Sequence, residues 1–397
     1  MLYKLKSCFL VFFILLVTSS FAQKEGYQWA FGQSCGLSFL SGKPDTFSTG
    51  IDAFNGCASI CTSLGDLLFY TNGFFVDFYK NKNRTCNPDF TIQGTTGNFQ
   101  SAIFIPHPHP DSSNLYFVFS SRSANCNCKY DKLYYSVIDL SPCSTGYIKG
   151  FIKSRSDIQI TKTAVCGKLT AVKHANRKDY WVASYLINTD TFFAVQVGNN
   201  GVSSKLIKSN TGVYYKNNYT VNSPMKFSPD GKKLSSTAIG EPSFIADFNS
   251  KTGKLNNIII FDSIKYDVVE FSSKSKFLYA VSSYSHIDQF DVSKKNKIDF
   301  INSKIRIDTI NRFDYLQLAP DGKIYVASEY SNYLNVIHAP DSAGVSCRYR
   351  KKFVKLPRAL DGPGLPDMVQ SFFQKKTFEY RRSCTRDTVF FAPSNTF

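Results

Sequence analysis

Leu318-Ala-Pro-Asp-Gly-Lys-Ile-Tyr325 aligns without gaps on Phe227-Ser-Pro-Asp-Gly-Lys-Lys-Leu234 and, between them, on Phe271-Ser-Ser-Lys-Ser-Lys-Phe-Leu-Tyr279. The three copies start at residues 227, 271 and 318, so they lie 44 and 47 residues apart. That is the period of roughly 40 to 50 residues expected of propeller blades. In the outer copies Pro presets the first turn position, Asp closes the turn through its side chain and Gly accepts a positive φ before an alternating strand resumes. Each reads as a tight hairpin. The middle copy has Ser273-Lys274-Ser275 in place of Pro-Asp-Gly, and a looser turn is expected there.

Outward from these copies, each hairpin is followed by a further strand and turn, as in Phe244-Ile-Ala-Asp-Phe-Asn-Ser-Lys-Thr-Gly-Lys-Leu255 and His286-Ile-Asp-Gln-Phe-Asp-Val292. Four strands per period result, and radial packing of such sheets limits the exposed edges. The first half carries weaker copies. Gly65 to Tyr70 and Phe74 to Phe78 flank Asn72-Gly73, a strong short hairpin cue. Composition agrees with sheet: the chain has 36 Phe and 23 Tyr and few helical runs. The expected fold is all-β, a propeller of four-stranded antiparallel blades. About 45 residues per blade gives seven, and six or eight fit the same arithmetic.

The ends depart from the repeat. Lys4 and Lys6 followed by the apolar run Phe9 to Val17 and by Ser20-Phe21-Ala22 read as an export signal over residues 1–22, with cleavage between Ala22 and Gln23. That run is too short to span a bilayer, and no later stretch is longer. The expected address is outside the cell, secreted or at the surface. The domain reading is then a signal at 1–22, a propeller at 23–378 and a short β tail at 379–397. Gly362-Pro-Gly-Leu-Pro366 interrupts the pattern, Met368 to Phe373 is a candidate closing strand, and Arg381 to Cys384 opens a short strand ending at Phe391.

Seven segments in order resemble a known family: Trp29-Ala-Phe-Gly32 with Gly36-Leu-Ser-Phe39, Gly56-Cys-Ala-Ser-Ile60, Gly65 to Gly73, Lys168-Leu-Thr-Ala-Val-Lys-His-Ala-Asn176, Lys226-Phe-Ser-Pro-Asp-Gly231, Leu316 to Tyr325 and Gly364-Leu-Pro366. They are similar to the N-terminal, WD-repeat- or YVTN-like propeller of bacterial surface proteins associated with gliding motility and type IX secretion. The resemblance spans about residues 27 to 373. It implies export, a propeller and a following immunoglobulin-like PKD domain, whose first strand Cys384-Thr-Arg-Asp-Thr-Val-Phe390 resembles. It implies nothing specific about a ligand.

Ten cysteines follow the signal, an even number that in an exported chain suggests disulfides. A bridge between Cys57 and Cys61, and a partner for Cys347, are pairings to test. Cys126-Asn-Cys128 lacks a second ligand pair at zinc spacing. The net charge of +17 becomes +15 without the signal. It would attract polyanions, but the lysines are scattered and no nucleic-acid motif accompanies them.

Chemistry is sparse. His107-Pro-His109 sits in a Pro-rich loop that splays the side chains, and His174 precedes a turn that suggests a structural role. No Gly-x-Ser-x-Gly elbow or phosphate-binding Gly loop occurs. Asp77, Asp179, Glu270 and Glu329 have no spacing that singles them out. No catalytic, cofactor or metal residue is assigned; a structural Ca²⁺ has no indication in the pattern. Most aromatics lie in strand runs and read as core, leaving Tyr214, Tyr215, Tyr330 and Tyr333 as loop candidates for ligand contact. Three functions stay open: a monomeric, non-catalytic surface module engaging an extracellular protein or polysaccharide, a carbohydrate-binding module, and a propeller hydrolase or lactonase that uses its central channel.

Overall fold

The computed structural model describes residues 23–79, 85–87, 91–122, 131–216, 223–262 and 264–374, with the backbone of strands Phe378–Arg382 and Val389–Pro393. The signal segment 1–22, Cys126, Cys128 and Cys384 lie outside the described residues. The chain folds as an all-β, seven-bladed propeller. Blade one comprises Gln28–Phe31, Gln33–Ser38 and Asp45–Asp52; blade two comprises Cys57–Cys61, Leu67–Thr71 and Val76–Phe78. Blades three to seven open on Ala102–Pro106, Thr170–Lys173, Met225–Phe227, Val268–Phe271 and Asp314–Leu318, and each runs outward as a four-stranded antiparallel meander, to which blade three adds the short strand Ile158–Gln159.

The repeated octapeptides are the first hairpins of blades five, six and seven. Gly231 and Gly322 hold φ of 68° and 79° as the turn chemistry requires. The middle copy is not looser. Ser275 itself adopts φ 56°, and its N–H reaches the Ser272 carbonyl at 2.8 Å, as Gly231 N–H reaches Ser228 at 2.9 Å. The flanking strands pair Phe271 with Leu278 as the earlier copy pairs Phe227 with Leu234, and that register holds a non-glycine residue in the left-handed region.

First strands of successive blades stand side by side: Gln28–Phe31 against Cys57–Cys61, then Ala102–Pro106, and later Met225–Phe227 against Val268–Phe271 and that against Asp314–Leu318. Aromatic and branched residues fill the wedges between them. The ring closes where Trp29 of blade one meets Tyr325 of blade seven edge to face, ring centroids 5.9 Å apart, with Phe39 completing the cluster. Trp29 is fully buried and its indole N–H donates to the Gly26 carbonyl.

Two expectations about the end of the chain are corrected. Met368 to Phe373 is not a closing blade strand: the paired strand is Pro366–Asp367, in parallel with Cys57 and Ala58, Val369 makes a single bridge to Ala171, and Gln370–Phe373 turns as a 3-10 helix. The tail strand begins at Phe378 rather than Arg381 and pairs with Val389–Pro393 in a sheet of its own. The cysteines also differ. Cys86 and Cys143 form a disulfide, whereas Cys35, Cys57, Cys61, Cys166 and Cys347 are buried free thiols. Cys57 and Cys61 stand at the two ends of one strand, four residues and about 13 Å apart, beyond the reach of a bridge.

Trp29→Ala removes the largest side chain at the ring closure. It should cost about 3–5 kcal/mol, read as a lowered urea midpoint at unchanged slope.

Candidate functional site: a sealed axis and an open cleft

Polar side chains interrupt the apolar first strands: Lys226 between Met225 and Phe227, Glu270 between Val269 and Phe271, Gln317 between Leu316 and Leu318, with Gln100 just before blade three. Alternation along each strand turns them together to the axis. The returning segment fills the centre. Pro366 pairs with Cys57 of blade two, and two residues beyond Asp367, Val369 bridges Ala171 of blade four, so the chain crosses the axis between them. Asp367 Oδ1 lies 3.4 Å from Lys226 Nζ, 3.3 Å from Gln100 Nε2 and 3.5 Å from the Tyr315 hydroxyl.

Lys226 also donates to Gln317 Oε1 at 2.7 Å and stands 3.7 Å from Glu270. Glu270 accepts the N–H groups of Phe271 and Leu318, and Gln100 Oε1 accepts those of Leu169 and Met225. One lysine faces two carboxyls. Burial pushes the Asp367 carboxyl up to about 7 and raises Glu270, with Lys226 opposing both. Nearby, Lys168 donates to the Ser223 and Thr237 carbonyls above the Tyr215 ring, and burial lowers its ammonium to about 7. Carboxylates therefore do converge on the channel, as a hydrolase would require. Lys226 and Glu270 are fully buried, however, and Asp367 is 2% exposed, so this network joins blades away from the surface.

A cleft of about 330 Å³ opens to solvent at the junction of blades six and seven. The connection Thr309–Arg312, Asp314 and Ser328 of the first blade-seven strands, the turn Tyr330–Tyr333, Asn335, Tyr349, Lys351 and Lys352 line it. Two of the sequence-derived candidates, Tyr330 and Tyr333, are here. Tyr330 is 69% exposed at φ 55°, its N–H held by the Leu360 carbonyl. Lys352 is also left-handed, at φ 51°, and its N–H donates to Asn335 Oδ1 at 2.9 Å. Lys351 pairs with Asp308 at 2.8 Å. Asp314 is buried beside Ser328, and desolvation pushes its carboxyl up to about 6. The Tyr349 hydroxyl is buried beside the Asn335 side chain.

The other two tyrosines are corrected: both lie in Gly201–Tyr215, the last strand of blade four, not in a loop. Tyr214 is half exposed, while Tyr215 is fully buried, 4.6 Å from the Tyr185 ring, with its hydroxyl donating to Ser236. Period-two alternation along the strand makes one an outer and the other a core residue.

The remaining candidates do not assemble. Asp179 accepts from Gln196, and Glu329 accepts from the Tyr284 hydroxyl. His107 and His109 each accept a backbone N–H at Nδ1 two residues on, and His174 does the same for Asn176. A set that sequence spacing did not suggest is Ser285, His286 and Asp288. Ser285 Oγ lies 2.6 Å from His286 Nδ1, and Asp288 lies 3.2 Å from Nε2. The Asp288 carboxylate also accepts from Tyr266 and Arg306, and burial lowers His286, so Asp288 is shared among three side chains in blade six. Asp314, Arg312, Asn335 and Tyr349 were also missed, because they gather from separate turns with no shared spacing.

Two outcomes follow from the axis. A carboxyl raised on folding keeps a proton that the unfolded chain loses from about pH 4, so its contribution to stability falls as pH rises from about 4 to 7 and then levels. Asp367→Asn removes that slope, and melting temperatures from pH 4 to 8 should show wild type losing ground to the variant across this window. Gly364 lets the returning segment enter: a Cβ there would sit 1.5 Å from the Asn55 carbonyl oxygen. Gly364→Ala should destabilise by about 3 kcal/mol, measured by urea unfolding.

The structure is similar to a hydrazine synthase of Kuenenia stuttgartiensis, at 11% identity over 94% of this chain and 97% of that chain with a TM-score of 0.46. It is also similar to a periplasmic gluconolactonase of Pseudomonas aeruginosa, at 14% identity over 78% of this chain and 82% of that chain with a TM-score of 0.42. No family model and no curated protein matches the chain.

Proposed function

We propose that this chain is an exported, non-catalytic binding propeller of a bacterial cell surface, and that it engages a polysaccharide or protein partner through the cleft between blades six and seven. The observation that carries the reading is the contrast between the two polar sites. The axial carboxyls are buried and face Lys226, whereas the cleft presents an exposed tyrosine, amides and cations at a solvent-open surface. Pockets of this kind, with a few convergent polar groups, are the default binding sites of an uncharacterised fold. Export and surface address rest on the leader-like residues 1–22 and on the resemblance to gliding-associated surface proteins.

The hydrolase reading draws on Ser285, His286 and Asp288. In it Ser285 meets the imidazole at Nδ1 and Asp288, which also accepts from Tyr266 and Arg306, stands 3.2 Å from Nε2.

The test is a glycan and polyanion array with the mature chain from Gln23 at low and physiological salt, beside a panel of lactones and esters. Retention of a defined glycan at physiological salt, lost in Tyr330→Ala, is the expected result. Turnover of an ester or lactone that disappears in Ser285→Ala would transfer the assignment to a hydrolase.

A further inference from the structure

Resting on the reading of the cleft as the binding site, we infer that its ligand is an acidic saccharide: a hexuronic acid unit whose carboxylate meets Arg312 and Lys352 while its ring lies against Tyr330. A volume of about 330 Å³ stands at the small end of ligand pockets and holds roughly one or two sugar rings. The lining is unsuited to an apolar guest. Amides come from Asn311, Asn332 and Asn335, and the buried Tyr349 hydroxyl stands beside Asn335, so the lining offers hydrogen-bonding groups and little apolar surface.

Tyr330 supplies the one broad apolar surface at the rim. Its left-handed backbone and the bond from its N–H to Leu360 hold the residue outward, where it is 69% exposed. A phenol presenting an apolar face beside hydroxyls and amides matches the two-sided chemistry of a pyranose ring.

Charge decides between neutral and acidic sugars. Three cations line the cleft, and Asp308 neutralises Lys351. Arg312 gives one Nη1 bond to the Glu329 carbonyl and keeps its charge and other donors, and Lys352 has its backbone anchored on Asn335. Neither side chain pairs with a carboxylate among the described residues. The carboxyl in the lining, Asp314, is buried and raised only to about 6, so near neutral pH it is mostly ionised; with Asp308 offsetting Lys351, Arg312 and Lys352 still leave the lining one positive charge in excess. A guanidinium fork beside an ammonium fits a planar, singly charged carboxylate.

The test measures binding of the mature chain to trigalacturonate, its methyl ester, a neutral glucan trisaccharide and a sulfated trisaccharide by titration calorimetry at physiological salt. Trigalacturonate should bind at least about tenfold more tightly than its ester, the loss expected when one charge-assisted hydrogen bond is removed. Lys352→Gln should weaken the acid about tenfold and leave the ester unchanged, while Tyr330→Ala should weaken both. Unchanged melting temperatures establish that both variants fold.

Equal affinity for acid and ester overturns the uronate assignment while the cleft stands, provided Tyr330→Ala still weakens both. Tighter binding of the sulfated trisaccharide also overturns it. Binding that neither variant alters overturns the cleft itself. No binding to any saccharide overturns the proposal, and the effect of Tyr330→Ala on array retention then decides whether the cleft serves another partner.

Discussion

Asp367 is a carboxyl carried by the last described stretch of the propeller, and it meets Lys226 of blade five 141 residues earlier in the chain. A propeller closes only if its ends are tied, because each wedge packs solely on its neighbours. Here the tie has two parts. Trp29 and Tyr325 join the first and last blades with apolar surface, and the returning segment threads the axis to touch strands of blades two and four. Removing one member of a buried charged set costs more than the set contributes, since the partner is left desolvated and unpaired. The network is thus a constraint on how the blades meet, and stability is its lesser effect.

That constraint also bears on the binding site proposed for this chain. Propellers offer an axial mouth and lateral clefts between blades. With Gly362 to Phe373 laid across the axis, Asp367 and the polar groups around it are buried, and the cleft between blades six and seven remains open. It forms where the fourth strand of blade six ends at Thr309 and the turn Tyr330–Tyr333 stands away from it. The two left-handed residues Tyr330 and Lys352 flank it, a conformation that persists only where surrounding structure holds it.

Much of the fold was legible from short segments. Phe227 to Leu234 and Leu318 to Tyr325 are hairpins because Pro, Asp and Gly each act within four residues. The expectation of a looser turn at Ser273 to Ser275 failed for the complementary reason: paired strands imposed on Ser275 the φ that a serine alone disfavours. Of the site, Tyr330 and Tyr333 were visible as aromatics beside turn residues. Tyr215 was misread because its neighbours resemble a loop, while the strand they extend is fifteen residues long.

The sequence by itself determined the blade period, the hairpin turns and the apolar alternation, since these depend on dihedral preferences and side-chain order over a few residues. The tertiary structure alone decided that Glu270 and Asp367 share one lysine, that Cys57 and Cys61 stay thiols, and that Arg312, Asp314, Asn335 and Lys352 border one cleft. Those facts are distances between residues far apart in the chain. They arise only when seven wedges close around an axis and bring strand ends from different blades together.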